Sequence, residues 1–333
     1  MKILITGGAG FIGSHATKLF LEKGYEVVVF DNFYRGYHQA VEILKSLGSL
    51  SVVDGDLRDF SSIRQVFNDH QIHAVLHFAA LCLVSESMQK PTEYFENNCV
   101  GSLNLFKAMS EAGVKKIIFS STCAVYGESQ YLPMDEKHPL NPLSPYGESK
   151  LITEQMLRWF GEQEGFSYVT LRYFNVCGAA SDGLIGDSKK PSQLLMQNAV
   201  RGAMGIQPFS YTCPKVDTPD GTPIRDYVDV EDLALAHFDA YKYLDDGGES
   251  QIINLGNGAG YSVKQIVDKV EQTFGTIMEK VPPAETRQGE YAAVYADPTK
   301  AHEILGWKAL KSLEDSIESM RKWYSNHPHG YDE

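Results

Sequence analysis

The chain has 333 residues and a mass of 37.1 kDa, long enough for one large α/β domain or a nucleotide domain with a smaller second lobe, and it is not disordered in the main. With 43 acidic against 30 basic residues the formal charge is −13, and without a basic run the surface repels nucleic acid and anionic membranes, which excludes both as partners. Five scattered cysteines, Cys82, Cys99, Cys123, Cys177 and Cys213, free of C-x-x-C spacing, suit a reducing, cytoplasmic setting and provide neither a metal site nor a disulfide frame.

The chain opens on an apolar run that Gly7, Gly8 and Gly10 interrupt, too soon for the ~7 to 15 apolar residues of a signal peptide. No later stretch approaches the ~18 apolar residues of a membrane span. Runs rich in Val, Ile, Leu and Phe predict strands at 3–6, 26–31, 50–54, 74–79, 116–121 and 168–174, each buried on both faces. Amphipathic stretches between them predict helices at about 11–23, 61–68, 92–112 and 146–164. This alternation predicts a doubly wound parallel α/β sheet. Beyond about residue 175 glycine and proline become frequent, and Pro191, Pro208, Pro214, Pro219 and Pro223 break the chain. There the sequence predicts a smaller α/β substrate lobe. The expected division is 1–175 for the nucleotide domain and 176–333 mainly for the lobe. Strands at 224–228 and 252–255 and a helix at 230–244 interleave the two, so about 224–245 returns to the first domain.

Directly after the first predicted strand, Gly7, Gly8, Ala9, Gly10, Phe11, Ile12 and Gly13 satisfy both G-x-x-G-x-x-G and G-x-G-x-x-G. Glycines there allow a tight turn and let backbone N–H groups approach a pyrophosphate at the helix N-terminus, where the dipole favours anions. The second strand ends at Asp31, ~20 residues on, where a carboxylate accepts from ribose hydroxyls and repels a 2′-phosphate, which selects NAD over NADP. The competing reading makes Asp31 a strand-end cap of a turn with Asn32.

Y-x-x-x-K occurs twice. In Tyr211 to Lys215 a proline precedes the lysine, which rules out a helix interior. Tyr146 and Lys150 lie one turn apart on a predicted helix. An ammonium there stabilises a phenolate and lowers the tyrosine from its usual ~10, as a base working near neutrality requires. Ser120, Ser121 and Thr122 close a parallel strand at the end where open α/β sheets bind ligands, so Thr122 is placed to share a substrate oxygen with Tyr146. The plain alternatives are a helix-surface Tyr and Lys, and hydroxyls that satisfy strand-end backbone.

A glycine turn, an upstream Thr and Tyr-x-x-x-Lys in a chain of this length resemble the extended short-chain dehydrogenase/reductase family. Within it the chain is most similar to the UDP-glucose (UDP-galactose) 4-epimerases. The matching stretches include Gly55-Asp56-Leu57-Arg58-Asp59, His77-Phe78-Ala79-Ala80-Leu81, Asn97-Asn98, Ser144-Pro145-Tyr146-Gly147, Arg172-Tyr173-Phe174-Asn175, Arg225-Asp226-Tyr227 and Arg287-Gln288-Gly289-Glu290. The resemblance implies a Rossmann-type domain and reversible C4 epimerisation of a UDP-hexose, through a 4-keto sugar with transient hydride transfer to bound NAD. Thr122, Tyr146 and Lys150 are then the catalytic residues. NAD is expected against Gly7, Gly10, Phe11, Ile12, Gly13, Asp31, Asn32, Asp56, Leu57, Phe78, Ala79, Ala80, Asn97, Tyr146, Lys150 and Tyr173. The UDP-sugar is expected against Thr122, Tyr146, Asn175, Leu195, Arg225, Arg287, Glu290 and Val294, with the two arginines clamping the diphosphate through paired donors. Read without the resemblance, either arginine is a surface salt bridge.

The chain also departs from that pattern. Cys82 stands where many of the resembling enzymes carry a lysine that touches the nicotinamide ribose. Phe209 or Tyr211 is the candidate to stack on uracil. Val294 replaces a tyrosine that narrows the sugar pocket, which opens it to N-acetylated sugars. Cys123 and Ala124 replace the Asp-Glu pair of nucleotide-sugar 4,6-dehydratases and argue against that chemistry. A 4-epimerase of another UDP-sugar, a reductase and a non-catalytic NAD-binding protein are the remaining alternatives. The resemblance further implies a homodimer built from the helices at 92–112 and 146–164, where Cys99, Val100, Leu103, Phe106, Leu151, Leu157, Trp159 and Phe160 are apolar.

Overall fold

The computed structural model describes residues 1–189, 192–283 and 291–331. In chain order, β1 (Lys2–Thr6), α1 (Phe11–Glu22), β2 (Glu26–Asp31), α2 (His38–Leu44), β3 (Leu50–Asp54), α3 (Phe60–Asp69) and β4 (Ala74–His77) form the first half of the sheet. The helices α4 (Val84–Gln89), α5 (Pro91–Tyr94) and α6 (Gly101–Glu111) lead to β5 (Lys116–Ser120), α7 (Pro145–Glu164) and β6 (Ser167–Tyr173). The remainder comprises β7 (Asn175–Cys177), α8 (Leu195–Ala203), β8 (Ile224–Arg225), β9 (Tyr227–Asp229), α9 (Val230–Asp245) and β10 (Gln251–Leu255), then β11 (Tyr261–Ser262), α10 (Val263–Phe274), β12 (Ala293–Val294), α11 (Thr299–Leu305) and α12 (Leu313–Asn326).

Seven parallel strands lie in the order β10-β6-β5-β4-β1-β2-β3. Their unbroken apolar runs follow from burial on both faces, and alternate residues sort into two cores. Ile3, Ile5, Val27, Val29, Leu76 and Ile118 pack against α1 and α9 through Phe20, Leu233 and Tyr241. Leu4, Val28, Phe30, Val75, Ile117 and Phe119 pack against α3, α6 and α7 through Ile63, Phe106 and Leu157. Strand order reverses between β1 and β4, and the loops leaving those two strands part there to open a crevice at the C-terminal edge.

Two expected elements are redrawn. The helix expected at 92–112 is interrupted by a π-helical turn, Phe95–Val100, between α5 and α6. Within that turn Asn98 is buried, its Oδ1 accepting from Leu81 N at 2.9 Å and its Nδ2 donating to Leu81 O at 3.0 Å and to Ser149 Oγ at 2.9 Å. The strand expected at 224–228 is split between two small sheets, β8 pairing with β11 and β12 while β9 pairs with β7. Asp226 causes the break. Its buried carboxylate accepts the N–H groups of Asn257 at 2.8 Å, Gly258 at 3.2 Å and Ala296 at 3.2 Å, which turns the chain from one sheet to the other, and burial pushes its pKa up to about 6.

A buried polar network fastens α7 to the sheet. Arg172 of β6 donates to both carboxylate oxygens of Glu154 of α7, Nη2 to Oε2 at 2.5 Å and Nε to Oε1 at 3.0 Å, with the two side chains 2% and 3% exposed. Ser121 Oγ donates to the same Oε1 at 2.5 Å. Arg172 Nη1 also donates to the Tyr126 hydroxyl at 3.0 Å, which in turn donates to Asn254 Oδ1 of β10 at 2.6 Å. Removing one member of such a pair strands a buried charge, so Arg172→Met is expected to lower the unfolding free energy by about 3–5 kcal/mol in urea denaturation. The double change Glu154→Leu with Arg172→Met is expected to cost less than Arg172→Met alone, because no charge is left unpaired.

Candidate active site

The turn after β1 has no space for side chains. Gly7 has φ +72°, and a Cβ there would lie 2.6 Å from Ala79 N, while a Cβ on Gly13 would run into Gly7 O. Gly7 N donates to Phe30 O at 2.9 Å and Gly10 N to Gly7 O at 3.1 Å, so the turn is closed by its own backbone. No side chain caps the α1 N-terminus that follows, which leaves its amide groups aimed into the crevice. Such a cradle fits a dinucleotide pyrophosphate.

One cavity brings together Gly7, Gly10, Phe11, Ile12, Gly13, Asp31, Asn32, Asp56, Leu57, Phe78, Ala79, Ala80, Asn97, Tyr146, Lys150 and Tyr173. Asp31 lines the cavity, and its carboxylate braces the loop by accepting Ala9 N at 3.0 Å and Phe33 N at 2.9 Å. Each oxygen keeps a lone pair for a ribose hydroxyl. Asn32 Nδ2 donates to Asp56 Oδ2 at 2.9 Å, and the side-chain hydrogen bonds of Arg58 hold the Asp56 pKa at about 2.

At the far end of the cavity, Ser144 caps α7 by accepting Gly147 N at 3.1 Å, and Pro145 occupies the first turn. Tyr146 and Lys150 therefore fall on the buried face of the helix, 8% and 4% exposed, and not on its surface. Thr122 follows β5, 7% exposed, with its Oγ1 accepting Ala124 N at 3.2 Å. The Thr122 hydroxyl lies close enough to Tyr146 to favour its ionised form. The expected lowering of the phenol by the ammonium is not found. Lys150 Nζ donates to Ser120 O at 2.8 Å, above the Phe119 ring, and burial drops its pKa to about 8. Burial, reinforced by Tyr173 and Cys82, pushes Tyr146 well above the ordinary tyrosine value, and the Thr122 hydroxyl opposes this. Desolvation is the leading cause and decides the direction.

The described residues expected at the substrate lie near strand ends and at the start of α8. Asn175 begins β7, its N–H donating to Asp226 O at 3.0 Å, and Leu195 begins α8. Arg225 of β8 pairs in register with Val294 of β12, and its guanidinium donates to Ile224 O at 2.8 Å and Tyr291 O at 3.0 Å. Val294 is buried in a small core with Val125, Leu151 and Phe174, against Cys123, the residue after Thr122. Arg287 and Glu290 lie outside the described residues. Of the two aromatic candidates, Phe209 is withdrawn: it is 1% exposed in the main core, its backbone paired with the segment at Lys280, and only Tyr211 beside it is half-buried. Among the described residues no cluster of three His, Cys, Asp or Glu side chains is placed to hold a metal ion.

The cavity wall also includes Arg35, Cys82 and Lys189. Arg35 and Lys189 carry no sequence signal, because neither lies in a motif, and Lys189 comes from the proline-broken part of the chain far from the glycine turn.

The chain is similar over its whole length to proteins of known family. The profile of the GDP-mannose 4,6-dehydratase family matches residues 4–320. The UDP-glucose 4-epimerase of Lactobacillus helveticus is 40% identical, with 100% of each chain aligned. The crystal structure of UDP-glucose 4-epimerase from Bifidobacterium longum in complex with NAD+ and UDP superposes with a TM-score of 0.94 at 38% identity, covering 99% of this chain and 100% of that one. The structure of the UDP-Glc/GlcNAc 4-epimerase from Campylobacter jejuni gives a TM-score of 0.83 at 37% identity, covering 98% and 99%. Full-length identity at this level, with a superposition that covers nearly the whole chain, places it in the UDP-glucose 4-epimerase family of the extended short-chain dehydrogenases/reductases.

Proposed function

We propose that the protein inverts C4 of a UDP-hexose, interconverting UDP-galactose and UDP-glucose, with NAD held in the cavity above α1. The observation that carries this reading is a cavity lined by Tyr146 and Lys150, with the buried Thr122 close to Tyr146, whose glycine turn leaves no room for a Cβ at Gly7 or Gly13. NAD, when bound, supplies a reversible two-electron acceptor for the sugar carbon. The proton is handled by this chain: Tyr146 Oη takes it from the 4-hydroxyl and returns it, Thr122 Oγ1 orients the same oxygen, and Lys150 supplies positive charge one helical turn below. Glycine N–H groups with Asp31, Asn32 and Asp56 hold the dinucleotide. Asn175, Leu195, Arg225, Arg287 and Glu290 hold the nucleoside diphosphate firmly, so that the sugar itself is free to present either face.

Epimerisation is favoured over dehydration by the residues after Thr122: burial pushes the Cys123 thiol up to about 12, and Ala124 has no titratable group. Val294 keeps the sugar end open to an N-acetyl group. Proton NMR of UDP-galactose with the purified protein and no added cofactor is expected to show anomeric signals of UDP-glucose growing to an equilibrium mixture, with UDP-GalNAc also converted. Tyr146→Phe is expected to lose at least ~100-fold of that rate. No conversion even after NAD is supplied overturns the proposal.

The buried lysine sets the alkaline limit. Lys150, at about 8, is an ammonium below that pH and loses its charge above it, so kcat/KM is expected to fall as pH rises through 8. Lys150→Arg, slower but charged throughout, is expected to lack that limb in the same pH–rate profile.

We further propose a cytoplasmic homodimer that pairs the α5–α6 region and α7 of two subunits. Among the described residues no helix is long and apolar enough to cross a membrane. Of the apolar residues on those helices, Phe106, Leu157 and Leu151 are buried within the subunit, whereas Val100, Leu103 and Trp159 are exposed by 47%, 44% and 53% and support a covering surface. Light scattering is expected to give twice the 37.1 kDa chain mass, and a monomeric mass overturns the dimer.

A further inference from the structure

Among the described residues three cations line the dinucleotide cavity, and two of them already have strong partners. Arg35 is held by the carboxylate of Glu86, and Lys150 by the Ser120 carbonyl. Lys189 is different. Its ion pair among the described residues is with Asp187 Oδ1 at 3.9 Å, beyond hydrogen-bond length. That Oδ1 is itself buried without a hydrogen bond, and burial raises the Asp187 pKa and so favours its uncharged form. The Lys189 ammonium sits 5.7 Å from the ring centroid of Phe11, the first residue of the uncapped α1, and its side chain is 22% exposed.

The backbone beneath Lys189 is well fixed. The Tyr37 hydroxyl, from the loop after β2, donates to Ser188 O at 2.6 Å. Trp323 Nε1 of α12 donates to Asp187 O at 3.2 Å, and Tyr331 N donates to Ser188 Oγ at 2.8 Å. A lysine rooted between the glycine-turn domain and the last helix thus extends to the place where the N-terminal amides of α1 receive an anion. Next to it on the cavity wall, Cys82 brings no cation.

We propose that Lys189 is a binding residue for the pyrophosphate of the dinucleotide, an ion contact supplied to the cofactor from the second part of the chain. The inference rests on the NAD reading above. In a protein of net charge −13, a doubly charged pyrophosphate gains from a cation as well as from backbone dipoles, and a partly buried ammonium is screened less than a surface one.

The test follows cofactor retention and not turnover. NAD bound to the protein as isolated, and its rate of loss on dialysis, are measured for wild type, Lys189→Met, Cys82→Lys and the double variant, with thermal unfolding as the check on folding. Removal of one charge-assisted contact is expected to speed NAD loss about tenfold or more in Lys189→Met. Cys82→Lys in the same chain, returning an ammonium to the adjoining wall, is expected to restore most of the retention. Wild-type retention in Lys189→Met overturns the proposal, as does a loss that Cys82→Lys leaves unreversed. A wild-type protein that neither carries NAD nor takes it up on titration overturns instead the reading on which the proposal rests.

Discussion

The buried pair of Arg172 and Glu154 sets the geometry on which the site depends. Two opposite charges removed from water gain only if their remaining donors and acceptors are met, and here Ser121, Tyr126 and Asn254 meet them. The consequence reaches the chemistry through short covalent paths. Glu154 lies one turn beyond Lys150 on α7, and Ser121 immediately precedes Thr122. Fixing the carboxylate therefore fixes the helix carrying Tyr146 against the strand end carrying Thr122, and the two hydroxyls keep their mutual distance because a pair behind them cannot slide.

Desolvation is the second theme. It moves the two titrating groups in opposite senses, Tyr146 up and Lys150 down to about 8, so each is shifted towards its uncharged form while Lys150 stays an ammonium below that pH. Positive charge beside Tyr146 works against that burial and favours the phenolate. Oxidised nicotinamide and the Lys150 ammonium are the two charges that the proposed chemistry brings next to Tyr146, which links cofactor occupancy to the base's readiness for the proton.

Much of the fold was legible in the sequence because parallel strands buried on both faces leave continuous apolar runs, and the glycine turn is a local pattern with a local cause. The positions expected for NAD fall on one wall for the same reason: loops leaving the same edge of a parallel sheet must converge. What escaped were consequences of distant neighbours. The strand through Asp226 reads as continuous until the amides of residues 257, 258 and 296 bend it. Phe209 reads as a ring free to stack until α8 and the segment near Met278 bury it. The tyrosine's pKa was read with the wrong sign, since spacing reveals the ammonium one turn away but neither the carbonyl that engages it nor the depth of burial. Lys189 gave no signal, being near the cavity only through Tyr37, Trp323 and Tyr331.

The outermost strand β10 lies against β6 although residues 174–250, with most of a second lobe, separate them. A chain emerging from the ribosome can therefore assemble the first six strands while the free edge of β6 stays open, its N–H and C=O groups available to any other extended segment. The interval before β10 arrives is the time in which two nascent chains are able to pair by mistake, and it lasts as long as that intervening segment takes to be made.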